Sequence, residues 1–202
     1  LIILPVFAAT FSLSYEGISL LYLRDNFTEE LARICALSLS TLSISMPAYA
    51  LSEIFYRTFY AAGEVRVPMR ATFFAICSCI AFNALFLFVF DAGLFGISLS
   101  YTAAQYVYAA SMAIQGRKLL PNVFARIGKK SVHLLISGAI SIASMTFLHK
   151  IIPVFSGINT TFAIFLKISI VFILGLMIYL LYIFITRTLS LKEMFGKRGE
   201  QI

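Results

Sequence analysis

Two long uncharged runs dominate this sequence, one from Ala71 to Phe90 and one from Ala92 to Gly116. Each run reaches the roughly 20 residues that an α-helix, rising about 1.5 Å per residue, needs to cross about 30 Å of hydrocarbon. The composition agrees, because 60% of the 202 residues are hydrophobic and only 12% are charged, against about 25% charged in an average soluble domain. We therefore predict an all-α fold, a polytopic bundle of membrane helices.

Six membrane-spanning helices are expected from the apolar runs and from the turn residues between them. Gly63 before Pro68, and the run Asp91-Ala92-Gly93, are typical of tight connections. Thr28 followed by Glu29 indicates a helix start, where a hydroxyl caps free amides and an acid lies near the positive end of the helix dipole. The predicted spans are 1–23, 30–60, 68–90, 93–115, 131–152 and 161–186.

The basic residues are divided unequally between the two ends of these spans. One end has Arg57, Arg66, Arg70, Arg117, Lys118, Arg126, Lys129, Lys130, Arg187, Lys192, Lys197 and Arg198; the other has Arg24, Arg33 and Lys150, with Lys167 a little inside. Because cytoplasmic loops carry the excess of Lys and Arg, we assign the richer side, including the C-terminus, to the cytoplasm. This distribution explains the net charge of +7 without a nucleic-acid partner.

Two basic segments lie outside the predicted spans. The loop at 116–130 and the tail at 187–202 both interleave basic residues with large apolar ones. Such segments suit an anionic membrane surface, although ordinary topology signals have the same composition. We therefore divide the chain into four transmembrane helices at 1–115, the cytoplasmic loop, two C-terminal transmembrane helices at 131–186 and the cytoplasmic tail.

Signatures of an enzyme are sparse. His133 and His149 are assigned to opposite faces of the membrane as interfacial side chains, and the sequence has no zinc-protease, serine-hydrolase or phosphate-loop motif. Cys77 and Cys79 point about 200° apart on a helix, which is unsuitable for a shared metal ion. We predict neither catalysis nor a cofactor nor a metal site.

The second span carries a stripe of small, mostly polar residues. Its members recur at steps of three and four and therefore share one helix face: Ser38, Thr41, Ser45, Ala48 and Ser52. That face either packs closely against a neighbouring helix or lines a water-filled cavity. Pro47 lies in the same span, where it removes one helix hydrogen bond and is expected to kink the helix.

Charged residues at membrane depth are costly, so they indicate function by default. Glu53 and Arg57 are four residues apart with the acid first, the favourable order for an ion pair on a helix. Arg57 is a lipid anchor, half of a structural pair, or part of a transport site. Glu16 lies deep in the first span without a local cation, so it either faces a cavity or is held neutral by burial. An anchoring role would use an aromatic belt of Phe55, Tyr56, Phe59 and Tyr60.

Other polar side chains lie inside later spans. Asn83 in the third span, and Thr102 with Gln105 in the fourth, either form hydrogen bonds between helices or bind a coupling ion. The fifth span has a second stripe of small residues that would leave a groove in the helix surface. The groove candidates are Ser137, Ser141 and Ser144.

Three stretches resemble the MurJ/MviN family of lipid II flippases. SEIFYRTFYAAGEVRVPM, Ser52 to Met69, is similar to that family's helix ending in R-x-F-Y-A, followed by a short charged loop and T/V-P. NALFLFVFDAGLFGISLSYTAAQ, Asn83 to Gln105, resembles its asparagine-bearing helix, short turn and G-L-x-G run. LYLRDNFTEELA, Leu21 to Ala32, resembles its turn before the next helix, with Asp25-Asn26 where a glycine is usual.

The resemblance implies a larger transporter. Such flippases have fourteen helices, two six-helix lobes around a central cavity and two C-terminal helices that form a lipid-tail groove, and this chain would be the ninth to fourteenth. Leu1 already lies in an apolar run without the flanks of a signal peptide, so an N-terminal portion is expected to precede it. Of the family's cavity arginines, only Arg57 carries over here, with Glu53 as its partner.

The implied function is flipping of lipid II, the undecaprenyl-linked peptidoglycan precursor, across the bacterial cytoplasmic membrane by alternating access. Membrane lipids and a monovalent coupling ion would be further partners, since an ion gradient or the membrane potential can bias the two states. Two alternatives remain open at this point. One is an exporter of another lipid-linked oligosaccharide or a drug, and the other is a membrane scaffold that transports nothing.

Overall fold

A computed structural model of the chain describes residues 3–22, 27–119, 137–151 and 160–185. Over these ranges the protein is a bundle of α-helices without strands, which confirms the predicted fold class. The helices are α1 Ile3–Ser12, α2 Ser14–Tyr22, α3 Glu29–Ser43, α4 Ser45–Ala61, α5 Arg66–Ala84, α6 Gly93–Leu119, α7 at residues 137–151, and α8 Thr160–Ile185. Most of the loop at 116–130, the tail at 187–202 and His133 lie outside the described residues.

Three described helices are long and apolar enough to cross a membrane. They are Glu29–Ala61, which joins α3 and α4, Arg66–Val89, and Thr161–Tyr182, with α1 and α2 together as a fourth if that bent pair is one span. α6 is long enough but more polar, and it packs against α3, α4 and α5. Its Ser98, Ser100 and Thr102 side chains are buried in the bundle, as expected where polar groups lie between membrane helices. The count of six spans remains a prediction.

The first predicted span is bent rather than straight. α1 and α2 meet at Leu13 with a bend of 72°. Leu13 keeps both of its own backbone bonds, since its amide donates to the Ala9 carbonyl and its carbonyl accepts from the Gly17 amide, each at 2.9 Å. The bend is held from outside, where the Ser12 hydroxyl meets the Thr146 hydroxyl of α7 at 3.1 Å. A continuous apolar run predicts the length of a span but not its direction.

The helix is interrupted beside Pro47, although Glu29–Ala61 continues as one span, and the kink expected there stays a prediction. α3 ends at Ser43 and α4 begins at Ser45, so the helix is interrupted just before the proline. Proline has no amide hydrogen to donate to the carbonyl four residues earlier. At the break the Ile44 amide instead donates to the Thr41 carbonyl, three residues earlier, at 3.2 Å.

Turn residues lie where the sequence predicts them. Thr28 caps α3, because its hydroxyl accepts a hydrogen bond from the Leu31 amide at 3.4 Å. Gly63 follows α4 with a φ of +75°, a left-handed conformation that glycine adopts without strain. Between the π-helical end of α5 and the start of α6, Asp91 and Gly93 have φ values of 46° and 51°. These turns place α4, α5 and α6 side by side.

An apolar core joins α4, α5 and α6 near the Gly63 turn. It consists of Phe55, Phe59, Val67, Ala71 and Met112. The assignment of Phe55 and Phe59 to a lipid-facing aromatic belt is therefore wrong, since both side chains turn into the bundle. Tyr56 and Tyr60, which lie one position further along the helix, remain exposed. The core fixes the end of α4 that carries Arg57.

Candidate functional site

Two neighbouring recesses lie along α4 and share the side chain of Tyr49; we call them together the α4 recess. The wider part has a volume of about 340 Å³ and is lined by Ile3, Val6, Ser45, Met46, Tyr49 and Tyr101. The narrower part has a volume of about 170 Å³ and is lined by Tyr49, Ser52, Glu53, Tyr56 and Tyr108. One end of the recess is thus mainly apolar, and the other combines a carboxylate with phenol hydroxyls.

The two serines of the α4 recess form its floor. The Ser52 hydroxyl donates to the Ala48 carbonyl at 2.8 Å, and the Ser45 hydroxyl donates to the Leu42 carbonyl at 2.7 Å. Both side chains are buried, and each hydroxyl hydrogen already has an acceptor within its own chain segment. The groups that remain available to a bound molecule are therefore the Glu53 carboxylate and the tyrosines.

The predicted ion pair between Glu53 and Arg57 is confirmed at the rim of the recess. Nε of Arg57 donates to Oε1 of Glu53 at 3.0 Å, and the two side chains are 41% and 78% exposed, respectively. An exposed pair of this kind stabilises a fold by at most about 1 kcal/mol. Stability alone is thus a weak reason for the pair. The bond uses Nε, and a guanidinium has further N–H donors on its two terminal nitrogens.

The part of the small-residue stripe on α3, near Thr41, packs against α6. The Thr102 hydroxyl of α6 donates to the Thr41 carbonyl at 3.0 Å, and the Tyr106 hydroxyl donates to the Ile44 carbonyl at 3.0 Å. Both carbonyls lie beside the break before Pro47. Ser38 and Thr41 are buried in the bundle, outside the residues that line the recess. Their role as cavity lining stays a prediction.

The three candidates for an ion site lie on α5 and α6. Thr102 makes the interhelix bond just described, and Gln105 is half-buried one turn further along α6. The Asn83 amide nitrogen donates to Cys79 Sγ at 3.6 Å, while its oxygen is buried and has no hydrogen-bond partner in the described ranges. The side-chain bonds found here therefore link Thr102 to α3 and keep Asn83 within α5.

The groove candidates on α7 are mostly enclosed. Ser137 and Ser141 are buried, and the Ser144 hydroxyl donates to the Ser141 carbonyl at 2.9 Å. The same face approaches α1, since a Cβ added to Gly138 would lie 3.0 Å from a methyl carbon of Leu4. Small residues here permit close helix packing. Their part in a lipid groove remains a prediction.

Glu16 has two partners that the sequence reading missed. Its Oε1 accepts a hydrogen bond from Lys167 Nζ of α8 at 3.0 Å and contacts His149 Nε2 of α7. The side chains of Glu16, Lys167 and His149 are 12%, 8% and 29% exposed. We call these three residues the Glu16 cluster. The assignment of His149 to the membrane interface stays a prediction; its imidazole is partly buried against Glu16.

The sequence contains a signal for the tyrosines of the α4 recess and for the partners of Glu16, neither of which was predicted. Tyr49 and Tyr56 lie three before and four after Ser52, so the face of the serine stripe continues into the recess. Glu16 and Lys167 each lie about two helical turns from the predicted outer end of their spans, and opposite charges at equal depth are candidates for pairing. A comparison of how deep each charged residue lies in its span would have suggested this pair.

Comparisons with known proteins place this arrangement in a family. The family model described as Lipid II flippase MurJ matches residues 1–195. The probable lipid II flippase MurJ of Aquifex aeolicus (strain VF5) is 28% identical over 118 residues, which cover 58% of this chain and 23% of that relative, so the match spans less than a quarter of the relative's length. No solved structure matches the chain. Because the family match extends over nearly the whole sequence, this chain belongs to the MurJ family of lipid II flippases.

Proposed function

We propose that this chain is the C-terminal part of a flippase that moves lipid II across the bacterial cytoplasmic membrane by alternating access. The observation that carries the proposal is the α4 recess, whose polar end holds Glu53 with Arg57 at its rim. Family membership supplies the substrate class. The excess of Lys and Arg at one end of the spans supports a cytoplasmic C-terminus.

The recess suits one part of such a substrate. A lipid-linked precursor has a polar headgroup that must leave water and an apolar tail that can stay in lipid. Tyrosine rings present both an apolar face and a hydroxyl, and a guanidinium binds phosphate or carboxylate oxygens with two parallel hydrogen bonds. Glu53 would hold Arg57 in place until an anionic group of the substrate takes over the guanidinium. The mainly apolar end of the recess would adjoin the lipid tail.

Three further assignments belong to this proposal. The buried oxygen of Asn83, which lacks a partner in the described residues, is an acceptor of the kind a monovalent coupling ion requires, with Thr102 and Gln105 as further oxygen donors. α7 and α8 would form a groove that binds the lipid tail, and the small side chains of Ser137, Ser141 and Ser144 would leave room for the tail. Glu16 would act in gating between α2 and these helices.

The function is tested in bacterial cells depleted of their own lipid II flippase. We expect the full-length protein that contains this chain to restore growth and to remove the lipid II that accumulates on depletion. Normal membrane insertion without either effect would count against the proposal. Restored export of a different lipid-linked oligosaccharide, with lipid II still trapped, would favour the wider exporter alternative. No transport of any lipid would favour a scaffold.

A double-mutant cycle separates the three roles considered for Arg57. We expect Glu53→Gln or Arg57→Gln alone to lower lipid II transport roughly tenfold, which corresponds to about 1.4 kcal/mol. The double variant should be less impaired than the sum of the two, because neither charge then lacks its partner. Thermal stability should change little, since both side chains are exposed.

The matched control is the pair on α3, where Arg33 Nη2 lies 3.0 Å from Glu29 Oε1 with the same spacing of four residues. Both of its side chains are more than half exposed, and neither lines the α4 recess. Arg33→Gln should therefore leave transport unchanged. Equal losses at the two pairs, or independent effects of Glu53→Gln and Arg57→Gln, would rule out a specific role for Arg57 in transport.

A further inference from the structure

The Glu16 cluster joins three helices through groups that all exchange protons. It consists of a carboxylate on α2, an imidazole on α7 and an ammonium on α8, and the carboxylate oxygen Oε1 contacts both nitrogen atoms. None of the three residues lines the α4 recess. A buried carboxylate oxygen that contacts two basic groups binds one of them more strongly, and which one it binds depends on the charge of the imidazole.

His149 is the member through which a proton would enter. Its side chain is 29% exposed, against 12% for Glu16 and 8% for Lys167. Histidine is also the side chain whose charge ordinarily changes between about pH 5 and 8. A carboxylate kept ionised by the Lys167 ammonium only accepts hydrogen bonds, so the tautomer of His149 that fits this contact carries its hydrogen on Nε2. Nδ1 is then the atom of the neutral ring that is free to take up a proton.

Other titratable or charged side chains lie on the helices around the cluster. They are Tyr15 and Tyr22 on α2, Glu29, Glu30, Arg33 and Cys35 on α3, Lys150 on α7, and Tyr179 and Tyr182 on α8; α1 has none. Tyr15 and Arg33 are moreover bonded to Glu29 rather than to the cluster.

A polar seam continues from the cluster along the first span. Glu16 and Ser19, three residues apart, share one face of α2, and Ser12 lies on the other side of the bend, at the end of α1. Ser12 bonds to Thr146 of α7 at 3.1 Å. The Ser19 hydroxyl is buried and has no protein partner within the ranges described. A buried hydroxyl of this kind is suited to hold a water molecule, which would extend the path for a proton beside Glu16.

We propose that the Glu16 cluster is a proton-binding site, and that protonation of His149 exchanges the partner of the Glu16 carboxylate. A proton from water binds Nδ1 and turns the imidazole into an imidazolium. Two cations then share one carboxylate oxygen and repel each other, and the Lys167 ammonium moves away from Glu16 while the imidazolium stays. Loss of the proton from Nδ1 reverses the change. The contact between α2 and α8 therefore opens at low pH, whatever lipid the protein transports.

The test measures the distance between α2 and α8 in the full-length protein in lipid nanodiscs. Cys35, Cys77 and Cys79 are replaced by alanine, and nitroxide labels are attached at Leu21→Cys and Phe162→Cys, two exposed positions. Pulsed electron paramagnetic resonance then compares pH 5.5 with pH 8. We expect a longer distance at pH 5.5, by roughly 2 Å or more, the scale of helix shifts in switching proteins.

Three substitutions decide the cause of the shift. His149→Gln should abolish it, and His133→Gln, at the other histidine of this chain, should leave it intact. His149→Arg, which is charged at both pH values, should give the long distance at both, and it keeps the test decisive if the glutamine variant does not fold. Equal distances at the two pH values in the protein with both histidines, or a shift that persists in His149→Gln, would overturn the proposal.

Discussion

Replacing Lys167 with methionine is expected to destabilise the protein by about 3 to 5 kcal/mol at pH 8, since it removes the cation from a buried carboxylate. Glu16 would keep only its contact with His149. Methionine has a similar length and no charge, so the loss reports on the ion pair rather than on packing. The measurement is the thermal unfolding midpoint of the purified full-length protein in detergent, followed by size-exclusion chromatography.

Two further variants show that the effect belongs to the pair. Glu16→Gln combined with Lys167→Met should recover most of the lost stability, because no charge is then left buried without a partner. Lys150→Met removes an exposed lysine of α7 and should change the midpoint little. If the double variant were no more stable than Lys167→Met alone, the bond at 3.0 Å would not be what holds α8 to α2.

The two ion pairs of this chain differ in what a sequence can reveal about them. Glu53 and Arg57 lie on one helix, so their spacing alone predicts the bond, and the structure confirms it at 3.0 Å. Glu16 is 133 residues from His149 and 151 residues from Lys167. No local rule links groups so far apart, because their contact depends on how α2, α7 and α8 pack. Depth in the membrane would have suggested the pair without proving it.

The helices themselves were predictable for a local reason. Apolar runs set their lengths, Thr28 and Gly63 mark their ends through capping and a positive φ, and Pro47 interrupts its helix because it cannot donate a hydrogen bond. The 72° bend at Leu13 has no such marker. It arises from contacts with α7 and α8 that the sequence does not display, and it directs Glu16 toward its partners.

The candidate recess was predicted only in part, because small residues do not reveal what faces them. Ser45, Ser52 and Glu53 do line the recess, whereas Ser38 and Thr41 from the same stripe are buried in the bundle, Thr41 beside Thr102 of α6. Periodicity places residues on one face of a helix, but the neighbouring helix decides which part of that face is open. Tyrosines supply most of the remaining polar lining.

A second large effect is expected where α6 begins, at Gly96 in the G-L-x-G run. A Cβ added to Gly96 would lie 2.9 Å from the Ala92 Cβ and 3.1 Å from the Phe86 Cβ. Neither atom can rotate away, because each is fixed directly to the backbone. Gly96→Ala should therefore push α6 away from the end of α5 and destabilise the protein by about 1 to 3 kcal/mol.

Gly17 on α2 provides the matched substitution, because a Cβ added there would meet no atom within 4 Å. Gly17→Ala should be neutral or stabilise the protein by up to about 1 kcal/mol, since alanine loses less backbone entropy in a helix. The opposite signs expected for one chemical change separate close packing from helix propensity. The measurement is the unfolding midpoint of each purified variant. A midpoint for Gly96→Ala that rises as much as that for Gly17→Ala would show that the α5–α6 turn tolerates a side chain at Gly96. A lowered unfolding midpoint for Gly96→Ala alone would show that the close contact with Ala92 and Phe86 requires a glycine at this position. That contact sets where α6 begins, and α6 carries Thr102 and Tyr106, whose hydroxyls bond to the α3–α4 break.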